Sequence, residues 1–280
     1  MGGHRVQRFE PALLKNIAGR AELETALRSA LSHGEFVVHY QPLVTLNGGL
    51  ITGVEALVRW ERAGGLVPPV EFIPLAEKTG VIVELGAWVL KEACRQAAAW
   101  QDLWPLTMSV NVSAHQLEPG LVRTVEAVLA ETGLPPGRLV LELTESALVD
   151  QAGGALEIIG ALQALGLSIA IDGFGTGYSS LSYLSGLPVD ILKVDRSFVT
   201  RMNSADGARV VAAIVELARA FGLRTTAEGI ETVDQRDAIT ALGVDHGQGY
   251  LFSKPVPASD ITSTLEKLTT LEMEQAAHPR

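Results

Sequence analysis

The chain has 280 residues, with 22 basic and 32 acidic side chains and a formal net charge of −10. Apolar residues make up 47% of the chain and charged residues 19%, which favours a folded protein with a large core over a disordered one. The acidic balance, with no Lys/Arg-rich run, argues against a protein that holds nucleic acid through its phosphates. Because Cys94 is the single cysteine, an internal disulfide and a cysteine-rich zinc site are excluded.

The sequence also carries no feature of membrane insertion or secretion. No run of about 18 uncharged apolar residues occurs, and the most apolar region, 81–90, is interrupted by Glu84. The first five residues lead into no apolar segment of the signal-peptide kind. We therefore expect a cytoplasmic chain without membrane insertion of its own.

The first predicted elements are a helix and a hairpin. Apolar residues in Ala21–Leu31 recur at helical spacing, which predicts a helix at the start of the domain. Two β-rich runs, Phe36–Leu46 and Leu50–Trp60, follow and are joined by Asn47-Gly48-Gly49. Short Asn/Gly loops of this kind are typical of antiparallel hairpins.

The rest of the chain alternates between strand and helix patterns. The predicted strands are Thr107–Ser113, Leu139–Leu143, Ser168–Ile171, Ile191–Val194, Arg224–Ala227 and Gly249–Phe252. The predicted helices lie at 81–100, 121–132, 155–165, 209–221 and 232–242. Residues 139–141 are apolar on both faces, as in parallel strands covered by helices. This order predicts an α/β fold, a modified TIM (β/α)₈ barrel with an antiparallel first strand, over residues 21–268; segments 1–20 and 269–280 would flank it.

Polar side chains lie at the ends of several predicted strands. Six consecutive strand regions each bring a carboxylate, an amide or an ammonium to the end where β/α barrels place their active sites. These residues are Glu55, Asn111, Glu142, Asp172, Lys193 and Glu228. Taken singly, each is typical of a helix cap, a solvated loop or a surface lysine. Together, four converging acids would repel one another unless a cation lay among them.

The chemistry of these side chains indicates which cation. Oxygen ligands without cysteine or clustered histidine favour Mg²⁺ or Mn²⁺ over zinc. A lysine beside such a cluster suits the orientation or activation of a water molecule. The glycine-rich segment 173–180 after the predicted strand Ser168–Ile171 is a weaker signal, because its spacing differs from GxGxxG; a phosphate-binding loop and a flexible lid both remain open.

From about residue 20 to 258 the chain resembles the EAL domain family, the cyclic diguanylate phosphodiesterases. The resemblance rests on long motifs in the same order along the chain. They are Tyr40-Gln41-Pro42, Glu55–Trp60, Glu71–Glu77, Ser109–Ser113, Glu142–Ser146, Phe174–Leu181, Leu192–Phe198, Ala227–Thr232 and Gln248-Gly249-Tyr250. The family is one of modified TIM barrels that use Mg²⁺ or Mn²⁺ to hydrolyse cyclic di-GMP to linear pGpG by metal-activated water.

The resemblance implies roles for individual residues. Those expected to hold the first metal are Glu55, Asn111, Glu142 and Asp172. Glu228 would help to hold a second metal, and Lys193 would contact the attacking water, which makes both catalytic residues.

The same resemblance implies how substrate and partners bind. Arg59 would pair with a substrate phosphate, and Gln41 and Gln248 would line the substrate groove. Glu145 would brace the glycine-rich loop, which in this family links the metal site to the interface of a homodimer. Residues 5–11 are similar to the junction that follows a GGDEF module, so we expect an N-terminal GGDEF or sensor module in a longer protein.

One position departs from the family pattern. The family has two consecutive aspartates before the Phe-Gly-Thr-Gly loop, whereas this chain has Asp172-Gly173. The missing carboxylate is a ligand of the second metal, and its loss is expected to lower activity at least about tenfold. Two outcomes stay open, an impaired phosphodiesterase and a non-hydrolysing cyclic di-GMP receptor; a scaffold that only mediates protein contacts is a third.

Overall fold

The computed structural model describes residues 22–149, 154–175, 186–202 and 204–277. Residues 22–30 are helical (α1), in agreement with the predicted first helix. The predicted hairpin is confirmed: β1 (Phe36–Thr45) pairs antiparallel with β2 (Ile51–Arg62). A short strand, β3 (Gly65–Val67), extends the sheet beyond β2.

Strands and helices then alternate along the chain. The next elements are α2 (Pro69–Thr79), α3 (Val81–Trp100), β4 (Thr107–Val112), α4 (Pro119–Thr132), β5 (Leu139–Thr144), α5 (Glu145–Val149), α6 (Ala155–Ala164) and β6 (Ser168–Phe174). They are followed by β7 (Ile191–Val194), α7 (Arg196–Thr200), α8 (Ala205–Phe221), β8 (Arg224–Ala227), α9 (Val233–Ala241), β9 (His246–Gly247), β10 (Val256–Pro257) and α10 (Ala258–Ala277). Five predicted strands and all the predicted helices therefore appear at or close to their expected positions after the hairpin.

Eight of the strands close into a barrel. From β2 the order runs through β4, β5, β6, β7, β8 and β9, each parallel to the next. Strand β1 closes the ring and is antiparallel to both of its barrel neighbours, β2 and β9. The predicted barrel with an antiparallel first strand is confirmed.

The prediction of the last strand was wrong. The strand is His246–Gly247, and residues 250–252 form a turn in place of the expected strand Gly249–Phe252. Gly249 lies against the backbone of Ile230, where a Cβ atom would be only 2.1 Å from the carbonyl oxygen. The amides of Phe252 and Ser253 both donate to the Gly249 carbonyl, so the chain curls back instead of extending.

Helices α2 and α10 were not predicted. Pro69 and Pro74 obscure the pattern of α2, although Pro69 occupies its first turn, where proline costs no hydrogen bond. Helix α10 contains the expected domain boundary at residue 268. In the part of the chain that the structure describes, no helix combines the length and apolar character needed to cross a bilayer.

The strands bury apolar side chains on their outer face and place other residues inside the barrel. Leu139, Leu141 and Leu143 of β5 are fully buried in the main core, which the surrounding helices cover. Val140, between them, belongs to a separate small cluster with Ala170 and Ile191. Because side chains alternate along a strand, the residue after Leu141, Glu142, points into the barrel as Val140 does. Inward positions at the carboxyl ends therefore build the site.

Truncation of the outer face of β5 tests this packing. Leu141→Ala should lower the free energy of unfolding by about 2–5 kcal/mol, because it leaves a cavity in a fully buried layer. Leu103→Ala is the matched control, since Leu103 is 73% exposed and should change stability by less than about 0.5 kcal/mol. Urea unfolding followed by circular dichroism measures both; equal effects would contradict the assignment of the core.

Candidate active site at the carboxyl ends of the strands

The barrel brings side chains from all of its strands to one mouth. The parallel strands run the same way, so their carboxyl ends meet, and inward-pointing residues at those ends face each other. The residues near or just after these ends are Asn111, Glu142, Asp172, Lys193, Glu228 and Gln248. Glu55 lies inside the longer strand β2, next to the last residue that pairs with β4, Ala56. Gln41 joins them from the antiparallel strand β1, where it is paired with Glu55.

Three carboxylates form the centre of the site. Glu55, Glu142 and Glu228 each place an oxygen within 4.8 Å of the others. Glu55 is 7% exposed and Glu142 only 3%, so these charges are largely withdrawn from water. Asp172 is half-buried and lies outside this group of three, but its charge acts on both Glu228 and Lys193.

Lys193 is the cation that contacts this group. Its ammonium is 3.5 Å from Glu55 Oε2 and 2.5 Å from Glu228 Oε1, and it donates a hydrogen bond to Glu142 Oε2. The lysine is 2% exposed, so its charge is balanced by these carboxylates and not by solvent. The predicted proximity of Lys193 to the acids is thus present in the structure.

Side-chain amides hold Glu55 in place. Gln248 Nε2 donates to Glu55 Oε2 at 2.6 Å and to Gln41 Oε1 at 2.9 Å. Asn111 Nδ2 donates to the other Glu55 oxygen at 2.6 Å. Gln41 Nε2 in turn donates to the carbonyl of Ser253 at 2.9 Å. Both oxygens of Glu55 therefore accept hydrogen bonds, which fixes the orientation of the carboxylate.

The shared environment moves the pKa values of the acids in opposite directions. Burial raises the pKa of Glu142 to about 8, with Glu55 and Glu228 adding to the shift and Lys193 opposing it. Burial, Asp172 and Glu55 raise the pKa of Glu228 to about 7. For Glu55, burial acts upward, but Lys193 and the amides of Gln248 and Asn111 outweigh it and lower the pKa.

The donor set fits a hard divalent cation. Three carboxylates face one ammonium, so the group carries a surplus of negative charge when all of its members are ionised. Carboxylate oxygens are the ligands that Mg²⁺ and Mn²⁺ take in proteins, and Asn111, whose Nδ2 donates to Glu55, adds a side-chain amide to the set. The residues present are therefore able to hold such an ion at this mouth.

An opening of about 210 Å³ leads to the carboxylates. It is lined by Gln41, Glu55, Leu57, Arg196, Glu228, Gly229, Glu231, Gln248, Gly249 and Tyr250. Arg59 follows Glu55 by four residues on the same face of β2 and so lies further out toward the mouth. Burial lowers the pKa of Arg59, and the nearby Tyr250 and Glu55 oppose that shift.

Glu145 and Gly173 lie beside this site at the start of the glycine-rich segment. Glu145 Oε2 accepts a hydrogen bond from the backbone amide of Gly175 at 3.1 Å. Gly173 has a φ of 68°, in the left-handed region that glycine adopts without steric cost. Residues 176–185 of the predicted loop lie outside the described residues.

Comparison with known proteins identifies the family. The family model described as EAL domain matches residues 24–255. This chain belongs to the EAL domain family. It is 44% identical over 264 residues to the bifunctional diguanylate cyclase/cyclic di-GMP phosphodiesterase MucR of Pseudomonas aeruginosa, covering 92% of this chain and 38% of that protein. It is 40% identical to the cyclic di-GMP phosphodiesterase PdeR of Escherichia coli, covering 89% of this chain and 38% of that one.

Solved structures agree with this assignment. This EAL domain superposes on a PaMucR phosphodiesterase in complex with c-di-GMP with a TM-score of 0.83 and 46% identity, covering 86% of this chain and 99% of the other. A FimX EAL domain of Xanthomonas citri in complex with c-di-GMP gives a TM-score of 0.78 and 27% identity, covering 89% of this chain and 97% of that one. The chain spans less than two fifths of the full length of MucR and PdeR.

The structure adds residues to the site that the sequence reasoning did not assign. Arg196, Glu231 and Tyr250 line the opening, and Arg196 and Glu231 form an ion pair at 2.7 Å. Each lies two or three residues beyond Lys193, Glu228 or Gln248. This short distance beyond a strand end could have indicated these residues from the sequence, because the first residues of the following loop form the rim of a barrel.

The raised pKa values predict how stability depends on pH without metal. An acid whose pKa is higher in the folded state binds its proton more tightly there, so the fold loses stability as pH rises from the ordinary carboxyl value to the raised one. With chelator present, the free energy of unfolding should fall between about pH 5 and about pH 8, where Glu142 titrates. Glu142→Gln should flatten this fall, as measured by urea unfolding at several pH values. A fall of the same size in both proteins would contradict the burial of this charge.

Proposed function

We propose that this EAL domain is a cyclic di-GMP phosphodiesterase module that hydrolyses its substrate to linear pGpG with reduced activity. The observation that carries the proposal is the group formed by the buried Glu55 and Glu142 and the partly buried Glu228, with Lys193 among them, at the mouth of the barrel. The names of MucR and PdeR support the substrate, and the PaMucR structure supports binding of cyclic di-GMP to this type of domain.

The side chains of the mouth have complementary tasks in this reaction. Mg²⁺ or Mn²⁺, held by Glu55, Asn111, Glu142 and Asp172 with Glu228 at a second position, would supply Lewis-acid charge and lower the pKa of water. Lys193 lies among these acids and would orient the attacking water toward phosphorus. Attack breaks one P–O ester bond of the ring and leaves a linear dinucleotide with a terminal phosphate.

Substrate binding would use the outer part of the mouth. The guanidinium of Arg59 is suited to a phosphate of the substrate, because its planar donors match phosphate oxygens. Gln41 and Gln248 already hydrogen-bond to each other and to Glu55, so substrate contacts made by these amides would also steady the metal ligands. The buried setting favours this, since charges interact more strongly away from water.

Gly173 is the reason we propose reduced activity. The family places a carboxylate at this position, and glycine offers none. Fewer negative ligands would weaken a second metal and leave the leaving oxygen less well stabilised. The left-handed φ of Gly173 shows that glycine suits the backbone here, whereas any side chain would add strain.

Restoring the carboxylate tests this proposal. Gly173→Asp should raise kcat at least about tenfold with Mg²⁺ or Mn²⁺ and cost about 1 kcal/mol of stability from the left-handed backbone. Gly173→Asn is the matched control, because it has the same shape and similar strain without the charge. Chromatography of pGpG measures the rate. Equal rates for the aspartate and asparagine variants would show that the carboxylate at this position is irrelevant.

A second candidate function is a receptor that binds cyclic di-GMP without cleaving it. The absence of a carboxylate at position 173 favours it, while the intact Glu55, Glu142 and Lys193 favour retained chemistry. Tight binding by calorimetry, with no pGpG formed above the buffer rate, would select the receptor. A chain that neither binds nor cleaves cyclic di-GMP would leave only a role in protein contacts.

Arg59 separates nucleotide binding from a purely structural role. Arg59→Ala should weaken binding of cyclic di-GMP by roughly tenfold or more, because it removes a charged hydrogen-bond donor for phosphate. Arg62→Ala is the control: Arg62 is on the same strand but stacks over Trp60 at 5.3 Å on the opposite face. Calorimetry with both variants measures the difference. Equal affinities for cyclic di-GMP in the two variants would contradict the phosphate contact.

We also propose a homodimer and an upstream GGDEF or sensor module, in a cytoplasmic protein. The contact between Glu145 and Gly175 supports a coupling of the site to the glycine-rich loop and so to an interface beyond it. The name of MucR, which includes a diguanylate cyclase, supports a longer multidomain setting.

A further inference from the structure

The ammonium of Lys193 lies at the point where the three carboxylates converge. It contacts Glu55, Glu142 and Glu228 together, and these are the residues whose oxygens approach one another within 4.8 Å. The first metal proposed above would use oxygens of Glu55 and Glu142, and the second would use an oxygen of Glu228. The lysine and the metals therefore require the same oxygens, and all of them carry positive charge.

The strength of the lysine contacts makes this overlap significant. The side chain of Lys193 is 3% exposed, and those of Glu55 and Glu142 are 9% and 3% exposed, so water and salt screen these pairs little. In a buried ion pair, removal of one partner leaves an uncompensated charge, which is strongly unfavourable. Displacement of the ammonium therefore costs little free energy only when another cation binds the same carboxylates.

We propose that Lys193 is an internal counter-ion that competes with the divalent metals for their ligands Glu142 and Glu228, so that metal loading displaces its ammonium from them. The inference rests on the proposed function, because it concerns the ion that the function requires. In this view Lys193 stabilises the metal-free fold and weakens the apparent affinity of the metal. Once displaced, the same ammonium becomes available to a water molecule at the mouth.

The sequence of this chain shifts the competition toward the lysine. Gly173 contributes no carboxylate, so the metal gains fewer ligands while Lys193 keeps all three of its partners. Metal affinity should therefore be modest in the wild type, and it should rise either when the lysine charge is removed or when a carboxylate is added at position 173.

Mn²⁺ binding to the full chain tests the competition. Lys193→Met keeps the length of the side chain and removes its charge; it should bind Mn²⁺ at least about tenfold more tightly than the wild type, which corresponds to about 1.4 kcal/mol. Lys193→Arg keeps a positive charge and should bind no more tightly than the wild type. Lys91→Met is the matched control, because Lys91 pairs with Glu131 at 2.8 Å on the outer helices. This variant should bind Mn²⁺ with the affinity of the wild type. The electron paramagnetic resonance signal of free Mn²⁺ measures all four affinities.

Equal or weaker Mn²⁺ binding by Lys193→Met would overturn the proposal, since it would mean that the lysine helps to build the metal site. A general charge effect, with Lys91→Met tightening binding as much as Lys193→Met, would overturn it as well.

A measurement on the wild type covers the case in which Lys193→Met does not fold. The ¹⁵Nζ resonance of Lys193, assigned by its loss in Lys193→Arg, should shift and saturate as Mg²⁺ is added. A resonance that stays in place while Mg²⁺ binds would show that the ammonium is not displaced. A failure of the proposed function would give a different result. A wild type that binds Mn²⁺ but does not cleave cyclic di-GMP would contradict the proposed phosphodiesterase activity and would leave the proposed competition between Lys193 and the metal unaffected.

Discussion

The balance of charge among Glu55, Glu142, Glu228 and Lys193 is the constraint on which the mouth of this barrel depends. Three carboxylates brought within 4.8 Å of one another would drive the strand ends apart if nothing opposed them. The ammonium of Lys193 and the amides of Gln248 and Asn111 oppose them directly. The opposed pKa shifts follow from the same balance: Glu55, which accepts most of the hydrogen bonds, ionises more easily, whereas Glu142 and Glu228 ionise less easily.

The antiparallel first strand contributes to this balance. Because β1 runs against its neighbours, its paired residues approach the mouth from the opposite direction, and Gln41 lies beside Glu55. Gln41 then connects the site to Ser253, beyond the last barrel strand. The hydrogen bond between the side-chain amides of Gln41 and Gln248 thus links β1 to the segment after β9, where the barrel closes. If β1 were parallel to its neighbours, a different residue of β1 would lie beside Glu55.

Gly173 illustrates how stability and chemistry can diverge at such a site. A carboxylate in its place would add negative charge to a mouth that already holds a surplus, and would place a side chain in a left-handed backbone conformation. Glycine relieves both costs. In the function proposed above, glycine at this position also means one metal ligand fewer, as expected where function is maintained by strained or unfavourable features. The proposed reduction of activity and a more relaxed metal-free site therefore share one cause.

The local pattern of the chain determined much of this outcome. Strands at Ile191–Val194 and Arg224–Ala227, and the helix at 81–100, appear where the hydrophobic periodicity predicted them, because period and polarity are properties of neighbouring residues. The same alternation placed acids at the strand ends and so predicted a cation site in a barrel. The final strand was predicted wrongly because the conformation of Gly249 is decided by Ile230, which is distant from it in the local pattern.

Only the tertiary structure decided which of these groups share hydrogen bonds and charge. Residues 142, 193 and 228 are far apart in sequence, and their distances follow from the closure and stagger of eight strands. For that reason the sequence alone did not distinguish Asp172 from Glu142 as a member of the carboxylate group. In the structure Glu142 lies with Glu55 and Glu228, and Asp172 lies outside this group. The convergence of Lys193 on three carboxylates, and the pKa shifts that result, likewise exist only once the ring is closed, since burial and Coulomb energy depend on distances through space and not along the chain.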